Sequence, residues 1–347
     1  MSDWLLEVEG LKVHFPVREG HGLWRPKKPL RAVDGVSFKL AAGDTLGVVG
    51  ESGCGKSTLA RAILGLVPVT EGNVVWLGET VSGRKESAFR PIRRDLQVVF
   101  QDPLASLDPR MTIGSIISEP LKVFRPEMTK ADRHERVAEI MSDVGLDASV
   151  INRYPHEFSG GQCQRVGIAR ALVLEPKLVV CDEPVSALDV SIQAQIVNLL
   201  NELKQKFQLS LIFISHDLSI VRLLSQRVLV LYLGHVMELT DRELIYNSPL
   251  HPYTRSLIRA IPQPDPSYPL KRPDTTLGRD LPSPINPPTG CVFHTRCPHS
   301  DAQCREQVPV LEVTATGQQV ACHHWRSLPP WDPEAVESPH KELPNND

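Results

Sequence analysis

Four short apolar runs mark the first 233 residues of the chain: Leu46–Val49, Leu178–Cys181, Leu209–Ile214 and Val228–Leu233. They are apolar but for Ser210, so each predicts a strand buried on both faces, as inside a parallel sheet. Helical stretches separate them, and residues 1 to about 261 therefore have the alternating order of an α/β fold. Between Pro103 and Pro155 the character turns helical, with Thr129 and Asp132 at the head of a charged amphipathic stretch, Lys130–Val144. This predicts a helical subdomain inserted at about 103–157. From Pro262 to Pro288 nine prolines fall in 27 residues, which no helix or central strand accommodates, so 262–288 is expected to be an extended linker. A cysteine-rich segment, 289–325, follows. The last 22 residues, 326–347, carry five prolines and are expected to be a disordered tail.

Composition narrows the class. With 41% hydrophobic and 23% charged residues, the bulk of the chain has enough apolar surface for a sizeable core. A net charge of -3 gives no general polyanion-binding surface, so nucleic acid is not an expected partner. No apolar run approaches the ~18 residues that cross a bilayer, and Met1-Ser2-Asp3-Trp4 opens no basic-then-apolar signal. A cytosolic protein is expected. Seven cysteines is an odd number that argues against a complete secreted disulfide set. Four of them, Cys291, Cys297, Cys304 and Cys322, crowd into 32 residues.

After the first strand comes Gly50-Glu51-Ser52-Gly53-Cys54-Gly55-Lys56-Ser57-Thr58, which satisfies G-x-x-x-x-G-K-[ST]. Its glycines let backbone N–H groups face a phosphate at the positive end of the next helix, Lys56 reaches β and γ phosphates, and the Ser57 hydroxyl can ligate Mg²⁺. The strand Leu178–Cys181 runs into Asp182-Glu183. Asp182 there suits Mg²⁺, directly or through water, and Glu183 can address an attacking water. The strand Leu209–Ile214 leads to His216 at the same edge, where an imidazole can donate to a γ phosphate. Gln101, after the strand Leu96–Phe100, can touch both Mg²⁺ and water. Ser159-Gly160-Gly161-Gln162 opens a further helix, a second anion site that one γ phosphate in one chain would not need.

Phe158 to Gln162 between the phosphate loop and the acidic strand, with Ser186-Ala187-Leu188-Asp189 after Glu183, closely resembles the ABC ATPase family over about residues 4 to 261. The resemblance implies an α/β P-loop ABC ATPase core with an inserted helical subdomain, followed here by a small Cys-rich C-terminal extension. It makes Gly50 to Thr58 the Walker A loop, with Gly50, Ser52, Gly53, Cys54, Gly55, Lys56, Ser57 and Thr58 around the phosphates. Gln101 becomes the Q-loop glutamine, Asp182 the Walker B aspartate, Glu183 the catalytic base and His216 the switch histidine. Ser57, Gln101 and Asp182 would hold Mg²⁺. Ser159, Gly160, Gly161 and Gln162 would close the nucleotide of a facing subunit. Phe15 sits where the family's adenine-stacking aromatic lies, although the inserted Glu19–Leu30 loosens that alignment and core packing is the other role open to it. Phe158 replaces the Leu usual at the head of the signature.

The cysteines are spaced C-x5-C-x6-C-x17-C, and on ligands alone zinc comes first and an iron–sulfur cluster second. Leu250-His251-Pro252-Tyr253-Thr254, then Leu281 to Pro288 and the cysteine segment, resemble the C-terminal region of the ATPases of bacterial oligopeptide, dipeptide and nickel importers. Asn152 to Glu157 and Cys163 most resemble the F-type group of oligopeptide permease ATPases. Some members carry a four-iron cluster, so the resemblance implies [4Fe-4S] on Cys291, Cys297, Cys304 and Cys322, with Zn²⁺ as the alternative. It further implies ATP hydrolysis that energises peptide import, with dipeptides or nickel chelates as alternative cargo. The partners would be a homologous second ATPase, two membrane-spanning permease subunits and, indirectly, an extracytoplasmic peptide-binding protein. The location would be the cytoplasmic face of the bacterial inner membrane. A soluble ABC protein of DNA repair or translation is the competing class. Repair members interpose a very long coiled coil, whereas Lys56 to Ser159 spans 103 positions without sustained heptads, and translation members carry two cassettes where this chain has one.

Overall fold

The computed structural model describes residues 4–18, 28–261 and 281–332. Its strands are β1 (Leu6–Val17), β2 (Lys28–Leu40), β3 (Thr45–Val49), β4 (Glu71–Trp76), β5 (Glu79–Thr80), β6 (Leu96–Val99), β7 (Leu178–Asp182), β8 (Ser210–Ser215), β9 (Arg227–Tyr232), β10 (His235–Asp241), β11 (Glu312–Val313) and β12 (Gln319–Val320). They form a large sheet in the order β11-β12-β10-β9-β3-β8-β7-β6 and a small antiparallel one, β2-β1-β4-β5. In the large sheet β9, β3, β8, β7 and β6 are parallel. β10, β12 and β11 pair antiparallel at one end.

The four apolar runs fall on β3, β7, β8 and β9, and their lack of alternation has a direct cause. Leu211 and Phe213 of β8 face a core shared with the helices, while Ile212 and Ile214 face the core shared with the small sheet. Val179 and Cys181 of β7 are divided from Leu178 and Val180 in the same way. With both faces covered, the strand interiors are apolar on both, and the polar residues Thr45, Ser210, Asp182 and Ser215 fall at strand ends.

The inserted stretch carries helices Ile113–Phe124 and Lys130–Asp143. Thr129 caps the second by accepting from the Asp132 N–H at 3.2 Å, and the Asp132 carboxylate accepts the Thr129 N–H at 2.9 Å. This reciprocal box stabilises the helix start by about 1 kcal/mol. Ile116, Ile117, Val137, Ile140 and Met141 close on Val166 and Ile168 of helix Gly160–Leu172. No described helix is long and apolar enough to cross a membrane.

Most of the proline-rich stretch and the end of the tail, residues 262–280 and 333–347, lie outside the described residues. The cysteine segment is attached to the main fold: β12 pairs with β10 at Glu238↔Val320 and Leu239↔Gln319. Phe293 is fully buried, its ring centroid 5.2 Å from both Tyr232 and Tyr253. Composition treats this segment as too small to build its own core; the structure shows it using the core of the larger unit.

The run Leu250 to Thr254 forms the joint. His251 Nδ1 accepts the Tyr253 N–H at 3.0 Å and caps the helix Pro252–Arg259, whose first residue is proline. The same ring hydrogen-bonds the backbone of Ala321 in the extension, and complete burial drives its pKa down to about 3. Glu238 of β10, raised to about 7 by burial, accepts the N–H groups of Leu250 at 3.0 Å and His251 at 2.9 Å.

An unfolded histidine titrates near 6.5, far above the folded value. The contribution of His251 to stability is therefore complete above pH 6.5 and falls as pH drops from there toward 3, by up to about 1.4 kcal/mol per unit, while Glu238, raised from 4.5 to about 7, acts in the opposite sense between those two values. His251→Asn retains a cap acceptor and removes this titration. The fall in thermal midpoint between pH 6.5 and 4 should be shallower in the variant, and an identical slope would exclude His251 as its source.

Candidate active site

Parallel pairing brings the carboxyl ends of β3, β7 and β8 to one edge, with Val49 opposite Ser215 and Asp182 opposite Ile214. The residues that follow form a cleft of about 760 Å³ lined by Gly50, Glu51, Ser52, Gln101, Glu183 and His216 among others. A crevice at the carboxyl edge of such a sheet is where nucleotides bind.

The loop after β3 leads into the helix Lys56–Ile63 with Gly55 as N-cap at φ 109°. A Cβ on Gly55 would lie 2.1 Å from the Ala32 carbonyl oxygen of β2, so only glycine passes beneath that backbone. Cys54 is buried, its thiol raised to about 11 by burial. The Ser57 hydroxyl donates to Asp182 Oδ1 at 2.8 Å. These two oxygens are the pair a hard cation would bridge. Burial pushes the Asp182 carboxyl above its usual range, opposed by the Ser57 hydrogen bond. A divalent cation at this point would remove the cost of burying the charge, so the donor set fits Mg²⁺.

Glu183 is the hub. Lys56 Nζ lies 3.6 Å from Oε1, while Gln101 Nε2 donates to Oε2 at 3.2 Å and His216 Nδ1 lies 3.5 Å from the same oxygen. Three side chains from three segments thus surround one carboxylate, an arrangement able to hold a phosphate group and a water in line. Lys56 also donates to the carbonyls of Gly50 at 2.8 Å and Glu51 at 3.0 Å.

Ser159 to Gln162 lie apart from this cleft. Ser159 Oγ accepts the Gln162 N–H at 3.3 Å and the Gln162 side chain accepts the Ser159 N–H at 2.9 Å. Both residues are exposed at the start of their helix. Phe15, on β1, packs against the small-sheet core and is not among the residues lining the cleft. Cys291, Cys297, Cys304 and Cys322 occur as free thiols, all raised chiefly by burial. Cys297 also feels the charges of the other three. Among the described residues, the three potential metal-binding side chains mutually within 4.8 Å are Asp301, Cys304 and His324. Asp301 and His324 were not singled out from sequence, nor were Glu51 and Arg296, whose contacts only the folded chain reveals.

This fold and cleft define a P-loop nucleoside-triphosphatase. Residues 33–186 match the ABC transporter family, and residues 237–304 match the oligopeptide/dipeptide transporter C-terminal region. The chain is 60% identical over 309 residues to the oligopeptide transport ATP-binding protein OppF of Escherichia coli, covering 89% of this chain and 92% of that one. It is 51% identical over 323 residues to the oligopeptide transport ATP-binding protein AppF of Bacillus subtilis, covering 93% and 98%. A dimeric ATP-binding cassette solved in a post-hydrolysis state with ADP and Pi superimposes with a TM-score of 0.61 at 28% identity, over 68% of this chain and 98% of that one. The chain therefore belongs to the ABC transporter ATPases, in the OppF-like group of oligopeptide transport ATP-binding proteins.

Gly55→Ala should displace the loop from β2. At least a tenfold loss of ATP affinity is expected in titration with a fluorescent ATP analogue, with the far-ultraviolet dichroism of the fold retained. Undiminished affinity would contradict the steric argument.

Proposed function

We propose that this chain hydrolyses ATP to energise oligopeptide import, and that its two anion sites act in different nucleotide sandwiches. Lys56 and His216 hold the γ phosphate of the chain's own nucleotide, while Ser159, Gly160, Gly161 and Gln162 complete the site of a facing, homologous ATPase subunit. The separation of the exposed signature helix from the cleft supports this reading, since one chain alone cannot bring both to one phosphate. Ser57 and Asp182, with Gln101 alongside, would hold Mg²⁺, which when bound would neutralise β and γ phosphate charge. Glu183 accepts a hydrogen bond from the attacking water and orients it, with Gln101 and His216 fixing the carboxylate. Positioning and electrostatics supply most of the catalysis. The family resemblance offers Phe15 for stacking on adenine, whereas its packing against the small-sheet core supports the structural role.

The wider assembly in this proposal has the second ATPase, two membrane-spanning permease subunits and an extracytoplasmic peptide-binding protein. The chain lies on the cytoplasmic face of the inner membrane as a peripheral subunit. Cys291, Cys297, Cys304 and Cys322 hold a [4Fe-4S] cluster, with zinc as the other metal that thiol donors suit. Four thiols on one short segment, two buried and two half-buried and within one another's field, support a soft metal occupant, whose charge would offset the cost of deprotonating them there.

The observation that carries the ATPase mechanism is the ring of Lys56, Gln101 and His216 around Glu183. Glu183→Gln should retain ATP and lose at least a hundredfold in turnover; turnover near the wild-type rate would remove Glu183 as the base. Hydrolysis by the whole complex in liposomes should rise when its binding protein is loaded with longer peptides and stay flat with dipeptides or nickel chelates. For the cysteines, anaerobically purified protein should contain iron and acid-labile sulfide in equal amounts, and each Cys→Ser substitution should lower both. Stoichiometric zinc without iron would reverse the assignment.

A further inference from the structure

The cysteine segment reaches the phosphate loop directly. Arg296, next to Cys297, has a side chain only 1% exposed, and its guanidinium grips the Glu51 carboxylate with both ends, Nη1 to Oε2 at 2.7 Å and Nη2 to Oε1 at 2.8 Å. Nη1 also donates to the Tyr232 hydroxyl at 3.3 Å. The Tyr253 hydroxyl accepts the backbone N–H of Glu51 at 2.9 Å. Glu51 is the second residue of the loop, and its carbonyl is one of the two that receive the Lys56 ammonium. Its side chain, its amide and its carbonyl are thus each held by a different partner: the extension, the helix Pro252–Arg259 and the loop's own lysine.

We propose that Arg296 is a positioning residue for nucleotide binding, fixing Glu51 and through it the curvature of the phosphate loop, so that an intact C-terminal extension is a condition of tight ATP binding. The inference rests on the nucleotide-binding reading of Gly50 to Thr58. A planar guanidinium paired bidentately with a carboxylate sets distance and plane together, which a single hydrogen bond cannot do. The aromatic seat of Tyr232, Tyr253 and Phe293, with centroids 4.8 to 5.2 Å apart, holds both the arginine and the tyrosine hydroxyl rigid. The bidentate grip of Arg296 falls on Glu51 and not on Glu183, so its loss should weaken ground-state binding and leave the chemical step intact.

The test uses the full chain in its assembled transporter complex. Arg296→Gln should raise the KM for ATP about tenfold and change kcat less than twofold. Arg296→Lys, which keeps charge and loses the fork, should fall between the two. Tyr253→Phe preserves the ring and deletes only the acceptor of the Glu51 N–H; it should raise KM in the same sense, and it keeps the test decisive should Arg296→Gln fail to fold. The Arg296→Gln, Glu51→Gln double variant should be no weaker than Arg296→Gln alone, as expected for residues acting as one unit. An unchanged KM in folded Arg296→Gln and Tyr253→Phe, or additive losses in the double variant, would overturn the proposal. Lys56→Ala is the reference: if it too leaves KM unchanged, the loop assignment itself has failed, whereas its expected loss of binding beside an unaffected Arg296→Gln rejects only the role of Arg296.

Discussion

Everything at this site depends on β3, β7 and β8 being parallel neighbours in one register. Because Val49 lies opposite Ser215 and Asp182 opposite Ile214, three segments far apart in sequence leave the sheet at the same edge and height. The phosphate loop, the acidic pair and His216 then need no further device to meet. The register itself is held by burial on both faces, since a slip of one residue would exchange the two apolar cores into which alternate side chains are packed.

What the sequence made legible follows from how local each signal is. The loop Gly50 to Thr58, the capping box of Thr129 and Asp132, and the apolar runs are each written in a few consecutive residues governed by local geometry, and the structure reproduces them. The meeting of Glu183 with Lys56, Gln101 and His216 was foreseeable because each follows a strand of one sheet. The grip of Arg296 on Glu51 was not, because the partners are 245 positions apart and neither belongs to a periodic pattern. Leu250 to Thr254 stood out only as a resemblance. Its physical content, an end cap, a strand anchor and a hydroxyl under the phosphate loop, needs the contacts of His251 and Tyr253.

The C-terminal segment illustrates the limit of reasoning from local composition. Its short stretch of cysteines and prolines lacks the apolar surface for an independent core. It acquires one by adding β12 to the edge of β10 and packing Phe293 against the touching pair Tyr232 and Tyr253. Covering that edge also removes an open row of backbone donors and acceptors from the end of the large sheet.

Glu183 adds a final constraint. Its φ is +46°, one of five positive values among the described non-glycine residues, a conformation that costs about 1–3 kcal/mol and survives only where its surroundings enforce it. The enforcement is visible. Its N–H donates to the Ile214 carbonyl at 3.1 Å, tying it to β8, and its carbonyl accepts from the Ser186 N–H at 3.3 Å and hydroxyl at 3.1 Å. The left-handed turn ends the extended course of β7 just beyond Asp182, so consecutive acids need not follow the strict alternation of a strand. Asp182 can stay buried against Ser57 while Glu183 turns its carboxylate into the open cleft. Two neighbouring carboxylates thereby occupy different environments, one desolvated against the Ser57 hydroxyl and one among the side chains of Lys56, Gln101 and His216, a separation that suits the two different roles proposed for them.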